Sequence, residues 1–445
     1  MINLNKYVAG GVNATMVKKF ATYLGSSVVA NILPFLVMPF IANALTPEDF
    51  GKISNFGVLV AILVPFISLQ QPQFVQASYF DLEAPKRREL VSNVIYLMIF
   101  LSLIFFVVLL FFGQIIENNL LIPASWGRLA VVVALGSAIF LARATVLRLE
   151  GDAKNYAKFN IGYKASTSLL SLVLIVWIGL PWTGYIISSA SASFFFIALS
   201  VFFFWKTGKM TLRPVVNQTR SILSFGVPLL LFAVAPLLRR AADKVIITKA
   251  IGLTENGVYS LAFTFAVLFE EFTKAVYSTY IPRLYKGLSK IDLKSKTTES
   301  KVVSPEEASK VRVSLVKEAY LIFIAIAFGL FIGYFALKAV ILFFLDASYH
   351  GSIPYLSYLL VFIFLKSMNY YFVQLVLYTK KTTSFSFSMF ATAAVHLGLS
   401  IALVKPFGIY GIIIGLLLSE VLKLLITFFM VHKRYHLPWV NFLTK

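Results

Sequence analysis

Along most of this chain, hydrophobic residues come in runs of about 20, the length a helix needs to cross ~30 Å of hydrocarbon. Short polar turns separate the runs. Six lie near 20–43, 53–78, 91–112, 127–149, 161–179 and 185–205. Six more lie near 222–250, 257–282, 315–336, 354–378, 385–404 and 409–430. The pattern predicts twelve membrane-spanning helices. Cations concentrate in alternate connections: Lys18/Lys19, Lys86/Arg87/Arg88, Lys154/Lys158, Lys206/Lys209/Arg213/Arg220, the stretch Arg283 to Lys317, Lys380/Lys381 and Lys433/Arg434. The connections between them are poorer in cations, as in GQIIENNLLIP (113–123) and LPWTG (180–184). Positively charged loops stay on the cytoplasmic side, so both termini are expected there. The long connection 285–314 shares that signature. Within it, Ser304-Pro305-Glu306-Glu307 reads as an N-cap, an N1 proline and a capping-box glutamate that start a helix running into the ninth span. LKAVILFFLDASYHG (337–351) reads as a short amphipathic segment at the outer interface.

Composition narrows the class. Of 445 residues 59% are hydrophobic and 13% charged, with mean hydropathy +0.84. That is too apolar for a soluble domain of this length and marks an all-α polytopic membrane protein. A net charge of +21 would suit nucleic acid, but the cations sit between spans, where topology accounts for them, so no nucleic-acid partner is expected. The absence of cysteine removes disulfides, thiolate metal sites and cysteine nucleophiles. The start, MINLNKYVAGGVNATMVKKF, is too polar for a cleaved signal peptide, so the first span is expected to stay. Neither a Walker A sequence nor HExxH occurs. We therefore expect no catalytic residues, no cofactor and no metal; any pumping would use an ion gradient or the substrate's own.

The halves resemble each other. LTPEDFGKIS (45–54) follows the first span and LTENGVYS (253–260) the seventh. Each is a Leu-Thr-acidic turn leading into a glycine and an aromatic residue. Six spans per half is an even number, so the halves, 1–214 and 215–445, would be parallel repeats about an axis along the membrane normal.

The seventh span carries what hydrocarbon rejects. GVPLLLFAVAPLLRRAADKVIITKAIGLTENGVY (226–259) begins apolar and then places Arg239, Arg240, Asp243 and Lys244 at membrane depth. At 100° per residue the four fall within roughly 140° of one face. Each charge at the bilayer centre costs about 2.5–3.5 kcal/mol on insertion scales. Pairing at i,i+3 and i,i+4 with Asp243 is available, but three cations face one carboxylate. The face reads as the lining of a polar cavity that receives an anion. Pro228 and Pro236 are the places where this long span would bend.

Further charges follow in the second half. Glu270, Glu271 and Lys274 lie midway along the eighth span, with one carboxylate in excess. Lys366, Asn369, Tyr370 and Gln374 form a stripe on the tenth, His396 lies in the eleventh, and Glu420 and Lys423 in the twelfth. Each of these is either a cavity or coupling group or an interhelical contact that fixes packing. In the first half, QQPQFVQ (70–76) suits either a pore lining or, more simply, a helix end at the interface. Arg143 and Arg148 would snorkel from the fourth span, and the Ser/Ala series 188–193 suits helix packing.

Several stretches are similar to one family. DKVIITKAIGLTENGVYSLAFTF (243–265) with the Pro282 exit, PFIANALTPEDFGKIS (39–54) and LRLEGDAKNYAKFN (147–160) resemble bacterial polysaccharide transporters. These are the O-antigen (Wzx-type) flippases of the multidrug/oligosaccharidyl-lipid/polysaccharide exporter superfamily. Asp243 and Gly257 match that family's seventh-span Asp and eighth-span Gly, while Gln70–Gln76 depart from it. The resemblance implies two six-helix bundles around a central cationic cavity in the bacterial inner membrane. It implies inner-to-outer translocation of an undecaprenyl-diphosphate-linked oligosaccharide, an O-antigen or capsule repeat unit. Arg239, Arg240, Lys244 and Lys366 would hold the diphosphate. Asp243, Glu270, Glu271, Lys274, His396, Glu420 and Lys423 would balance charge or couple H⁺ or Na⁺. Membrane lipid, and polymerase or chain-length proteins of the same pathway, are the implied partners. A drug or small-molecule antiporter of the same superfamily is the alternative, and a membrane-bound polymerase or ligase a third reading.

Overall fold

The computed structural model describes residues 14–211, 216–292, 305–378 and 383–439, and among them every regular element is helical. In chain order these are α1 (Ala14–Asn43), α2 (Pro47–Ser68), α3 (Gln71–Ser78), α4 (Ala84–Leu120), α5 (Ala124–Gly127), α6 (Leu129–Leu149) and α7 (Ala153–Leu172). Then come α8 (Thr183–Lys206), α9 (Val216–Ala250), α10 (Leu253–Asp292), α11 (Pro305–Phe344), α12 (Ser352–Tyr378), α13 (Thr383–Phe407) and α14 (Ile409–Tyr435). With α2 and α3 counted as one interrupted rod and the four-residue α5 left aside, twelve long rods match the twelve hydrophobic runs among the described residues. The chain is a multi-pass membrane protein. Large side chains such as Phe111, Phe343 and Phe387 are 79%, 82% and 77% exposed, the inverse of a water-facing surface and what lipid requires.

Ten of the rods are long and apolar enough to cross a membrane by composition. Two further rods, α9 and α10, carry the charges singled out above. At 1.5 Å per residue the 35 residues of α9 run about 52 Å, and the helix continues through positions 228 and 236. Several rods overshoot their hydrophobic runs. Hydropathy marks the hydrocarbon, whereas a helix needs only its own hydrogen bonds to continue beyond it. One expectation fails for this reason: 337–344 is the last part of α11, not a separate interfacial helix. The start of α11 at Pro305 agrees with the capping sequence. Ser304 itself, with 293–303, Arg213, Lys380 and Lys381, lies outside the described residues.

The chain divides into two compact units at Lys249/Ala250. The first unit holds α1–α9. Thr46 caps α2 by accepting the Asp49 N–H at 3.1 Å, with Pro47 at N1 and Glu48 and Asp49 in the first turn; both acids favour the helix's positive end. This rod breaks at Leu69 and Gln70, which both adopt left-handed backbone (φ 42° and 55°), a conformation that costs non-glycine residues of order 1 kcal/mol or more each. Against the break lies Gly226 of α9: a Cβ there would come within 2.1 Å of the Leu69 carbonyl oxygen. Asn55 is fully buried and donates to the Leu120 carbonyl (2.7 Å) and to Thr248 Oγ1 (3.0 Å), which ties α2 to the end of α4 and to α9. In α8, Ser188, Ser189, Ala192 and Ser193 are buried. Ser188 meets Ser171 of α7, and Ser193 meets the Tyr163 hydroxyl, so the series serves close helix packing as expected.

The second unit holds α10–α14. Its core is unusually aromatic: Tyr371, Phe372, Phe323 and Trp439 contact one another edge-to-face or tilted. Here α12 is the wedge, with neighbours on both sides.

Candidate polar cavity and charge network

In the second unit the stripe on α12 is distributed between two neighbours. Lys366 donates to Glu270 Oε2 of α10 at 2.6 Å. Glu270 is buried and also receives Lys274 at 3.0 Å, while Lys274 holds Glu271 at 2.7 Å. The expected spare carboxylate is therefore not present: two glutamates and two lysines balance in one chain of contacts. The reason was invisible in the α10 sequence alone, because the second ammonium comes from a helix almost a hundred residues away. One turn along α12, Asn369 turns the other way. It donates to Glu420 of α14 at 3.4 Å and accepts from Thr427 at 2.6 Å. Glu420 is fully buried with Lys423 beside it at 3.4 Å. Gln374 returns to α10 and accepts the Tyr285 hydroxyl at 3.1 Å, and Tyr370 packs on Tyr277 with ring centroids 5.2 Å apart. His396 of α13 is fully buried. These groups join helices, and in pairs they neutralise each other.

The first unit has a different balance. In α9, Asp243 is buried, and Arg239 and Lys244 are half-buried; the side chain of Arg240 lies outside the described ones. Leu237, just before this cluster, helps to line a cavity of about 490 Å³. Its other walls are Ser68, Gln70, Gln73 and Gln76 around the break between α2 and α3, and Thr145 and Arg148 of α6. The glutamines thus line a cavity rather than simply ending a helix at the interface. Irregular backbone at membrane depth is tolerated only where it faces such a space or is buried in protein. Arg148 is exposed, donates to Thr145 Oγ1 at 3.1 Å and faces this cavity. It was missed as a candidate, although Leu141, Thr145 and Arg148 share a face by the helical repeat, as do Gln70, Gln73 and Gln76. Next to the break, Gln71 is fully buried with neither amide atom hydrogen-bonded.

Arg143 does not snorkel. It is 8% exposed, with its guanidinium 4.7 Å and 4.6 Å from the ring centres of Phe159 and Phe203. Five residues of helix cannot carry both arginines to one side, since 143 and 148 differ by about 140° around the axis. At the same end of the unit, Glu150 accepts the Tyr79 hydroxyl (2.8 Å) and Lys209 (2.5 Å). Burial and that contact to an anion push the Tyr79 hydroxyl up from its ordinary value.

Comparisons with known proteins agree on the class. A family model described as polysaccharide biosynthesis protein matches residues 16–287. An uncharacterized membrane protein of Haemophilus influenzae is 22% identical over 63% of this chain and 68% of its own. Lsg locus putative protein 1 of the same organism is 19% identical over 61% and 66%; the matches thus span about two thirds of each relative. Among solved structures, the lipid II flippase MurJ in an inward closed conformation is similar over 96% of this chain and 91% of its own. Its TM-score is 0.69 and its identity 13%. An inward-facing multidrug resistance MATE family transporter of the MOP superfamily is similar over 91% and 94%, with TM-score 0.66 and 15% identity. At these identities the likeness is one of fold.

Proposed function

The chain belongs to the polysaccharide biosynthesis protein family, and from that premise we propose that it is a flippase. Its cargo would be an undecaprenyl-diphosphate-linked oligosaccharide, moved from the inner to the outer leaflet by alternating access. The observation that carries the reading is the sign of the charge. In the charge network of the second unit glutamates and lysines cancel, whereas the 239–244 cluster of α9 carries three cations and one carboxylate, two residues beyond Leu237 in the wall of a cavity that already holds amides and Arg148. A diphosphate leaving water needs its hydration replaced by charge-assisted donors, and the glutamine amides of the cavity suit sugar hydroxyls. We assign Arg239 and Arg240 to the diphosphate, with Lys244 and Lys366 as helpers and Asp243 as the balancing anion. Lys366 keeps 29% of its side chain exposed while bound to Glu270, so it can serve both.

The remaining assignments rest on the same reading. The two halves, 1–214 and 215–445, act as parallel repeats in a bacterial inner membrane with both termini cytoplasmic. H⁺ or Na⁺ supplies the gradient through the carboxylates or His396, and a polymerase of the pathway receives the product. The multidrug exporter fold is similar in shape as well, but a site for cationic drugs calls for excess carboxylate, and α9 has excess cation.

The test is genetic. Deletion should abolish surface glycan while lipid-linked repeat units accumulate on the cytoplasmic side. Arg239→Ala or Arg240→Ala should reproduce this at normal expression, with Lys restoring only part, because a point charge cannot match a planar fork on two phosphate oxygens. Normal surface glycan in the deletion strain would overturn the reading.

A further inference from the structure

A second cavity, of about 340 Å³, lies in the first unit among the ends of α6, α7 and α8. Arg143 forms its floor. The walls are Phe159, Phe196, Phe203 and Phe204, and the rim is Asp152, Asn155, Lys158, Thr207 and Lys209. The rim residues stand at the N-cap and first two turns of α7 and just beyond the end of α8, which is headgroup depth for spans of this length. The residues differ from those of the cavity beside α9.

Arg143 has weak partners for a buried charge. One amine donates to the Leu199 and Ser200 carbonyls at 3.4 and 3.3 Å, Nε makes no hydrogen bond, and no carboxylate among the described residues pairs with it. Aromatic faces attract a guanidinium but offer no acceptor, so several of its five donors remain for a ligand. Rim charges are partly engaged: Lys209 holds Glu150, and Asp152 caps α7 through the Asn155 N–H and side-chain amide. Lys158 is exposed at the mouth. Beside it the surface turns to lipid, with Phe202 and Trp205 51% and 64% exposed and Lys206 Nζ 5.9 Å from the Phe202 ring centre.

We infer that this cavity binds the phosphate headgroup of an anionic bilayer phospholipid. Arg143 holds the phosphate, Lys158 guides it in, and the acyl chains run down the Phe202/Phe203 surface. Basic pockets between spans at the membrane face are suited to such headgroups. Size separates this ligand from the proposed cargo. A volume of about 340 Å³ is at the small end for organic ligands, enough for a glycerophosphate head and too little for an oligosaccharide. The inference stands on the first unit alone and is independent of what the α9 cluster carries.

Native mass spectrometry of the full chain, with phosphatidylglycerol or phosphatidylcholine added, tests it. The wild type should retain phosphatidylglycerol adducts over phosphatidylcholine. Arg143→Gln should lose about tenfold in that preference and Arg143→Lys an intermediate amount. Should Arg143→Gln fail to fold, Lys158→Gln decides: it should weaken phosphatidylglycerol binding about two- to fivefold with an unchanged lipid-free melting midpoint. Arg239→Ala should bind the lipid as the wild type does. The inference is overturned by wild-type binding in Lys158→Gln and Arg143→Gln, by equal retention of phosphatidylcholine, or by full competition from millimolar inorganic phosphate, which would make this a free-anion site. Loss of the adduct in Arg239→Ala alone would move the lipid to the other cavity and sink it too.

Discussion

Glu270→Gln and Lys366→Met, singly and together, measure how far the charge network of the second unit is structural. Glu270 receives two ammonium groups within 3.0 Å, and its side chain is 9% exposed, against 29% for Lys366 and 44% for Lys274. Stranding one partner of a fully buried pair costs about 3–5 kcal/mol. Both lysines here reach water, so the loss for Glu270→Gln discounts to about 1–3 kcal/mol. Lys366→Met leaves Glu270 with Lys274 and should cost no more than about 1 kcal/mol. The double variant should be less destabilised than the sum, with a coupling of about 0.5–1.5 kcal/mol. The assay is the melting midpoint of purified protein in a fixed detergent. The rate of irreversible loss at one temperature should be followed alongside it, since unfolding of large membrane proteins is commonly irreversible. Additivity within about 0.3 kcal/mol would refute the idea that this pair holds α10 to α12. Surface glycan on the same variants separates stability from transport. If Lys366 also assists the diphosphate, Lys366→Met loses far more glycan than its stability change explains, and Lys366→Arg recovers most of it.

Two further outcomes follow from the first unit and from the charge pattern. Gly226→Ala places a methyl 2.1 Å from the Leu69 carbonyl oxygen; because backbone must move, it should cost about 1–3 kcal/mol, read as a lowered melting midpoint, and wild-type stability would mean that α9 does not press on the break. With no native cysteine, Lys154→Cys and Lys433→Cys should resist a membrane-impermeant thiol reagent in intact cells while Asn118→Cys reacts, and the reverse pattern would invert the topology.

The number and order of spans were legible in the sequence because lipid imposes one rule on every residue of a run: it must be apolar, and for long enough. Helix ends were not legible. Extensions such as 84–90 at the start of α4 and 337–344 at the end of α11 continue in water or headgroups on backbone hydrogen bonds that nearly any residue can make. The α9 charges stood out for the reason that the apolar spans did: they break the rule. What stayed hidden was partnership. Nothing near Glu270 announces Lys366, and nothing near Asn369 announces Thr427, because these contacts depend on which helices become neighbours. The break at Leu69–Gln70 was hidden too: neither residue favours left-handed backbone, and it is the close approach of Gly226 that coincides with it. Arg143 and Arg148 looked alike as cations near a span end, and only the rotation between them separates an aromatic pocket from an open cavity.

One question divides the two surviving readings of α9, whether its arginines serve Asp243 or a ligand. The structure buries Asp243 one helical turn from Arg239, so the local geometry suits either. If Arg239 exists to neutralise Asp243, then replacing both by leucine exchanges a charged pair for apolar packing, which is often neutral or stabilising. Arg239→Leu with Asp243→Leu would also make the span easier to insert by about 5 kcal/mol or more on insertion scales. That variant should then express well and export normally. If Arg239 holds phosphate, the same variant should still express well but leave surface glycan low, because no donor replaces the hydration that the diphosphate gives up. A site for cationic drugs predicts a third pattern: export of a cationic dye unchanged or improved once the cation is gone. Expression, surface glycan and dye efflux on one set of variants therefore distinguish the cases without reference to which glycan is carried. Wild-type surface glycan in the double-leucine variant would remove Arg239 from the site, and with it the charge argument on which the proposed function rests.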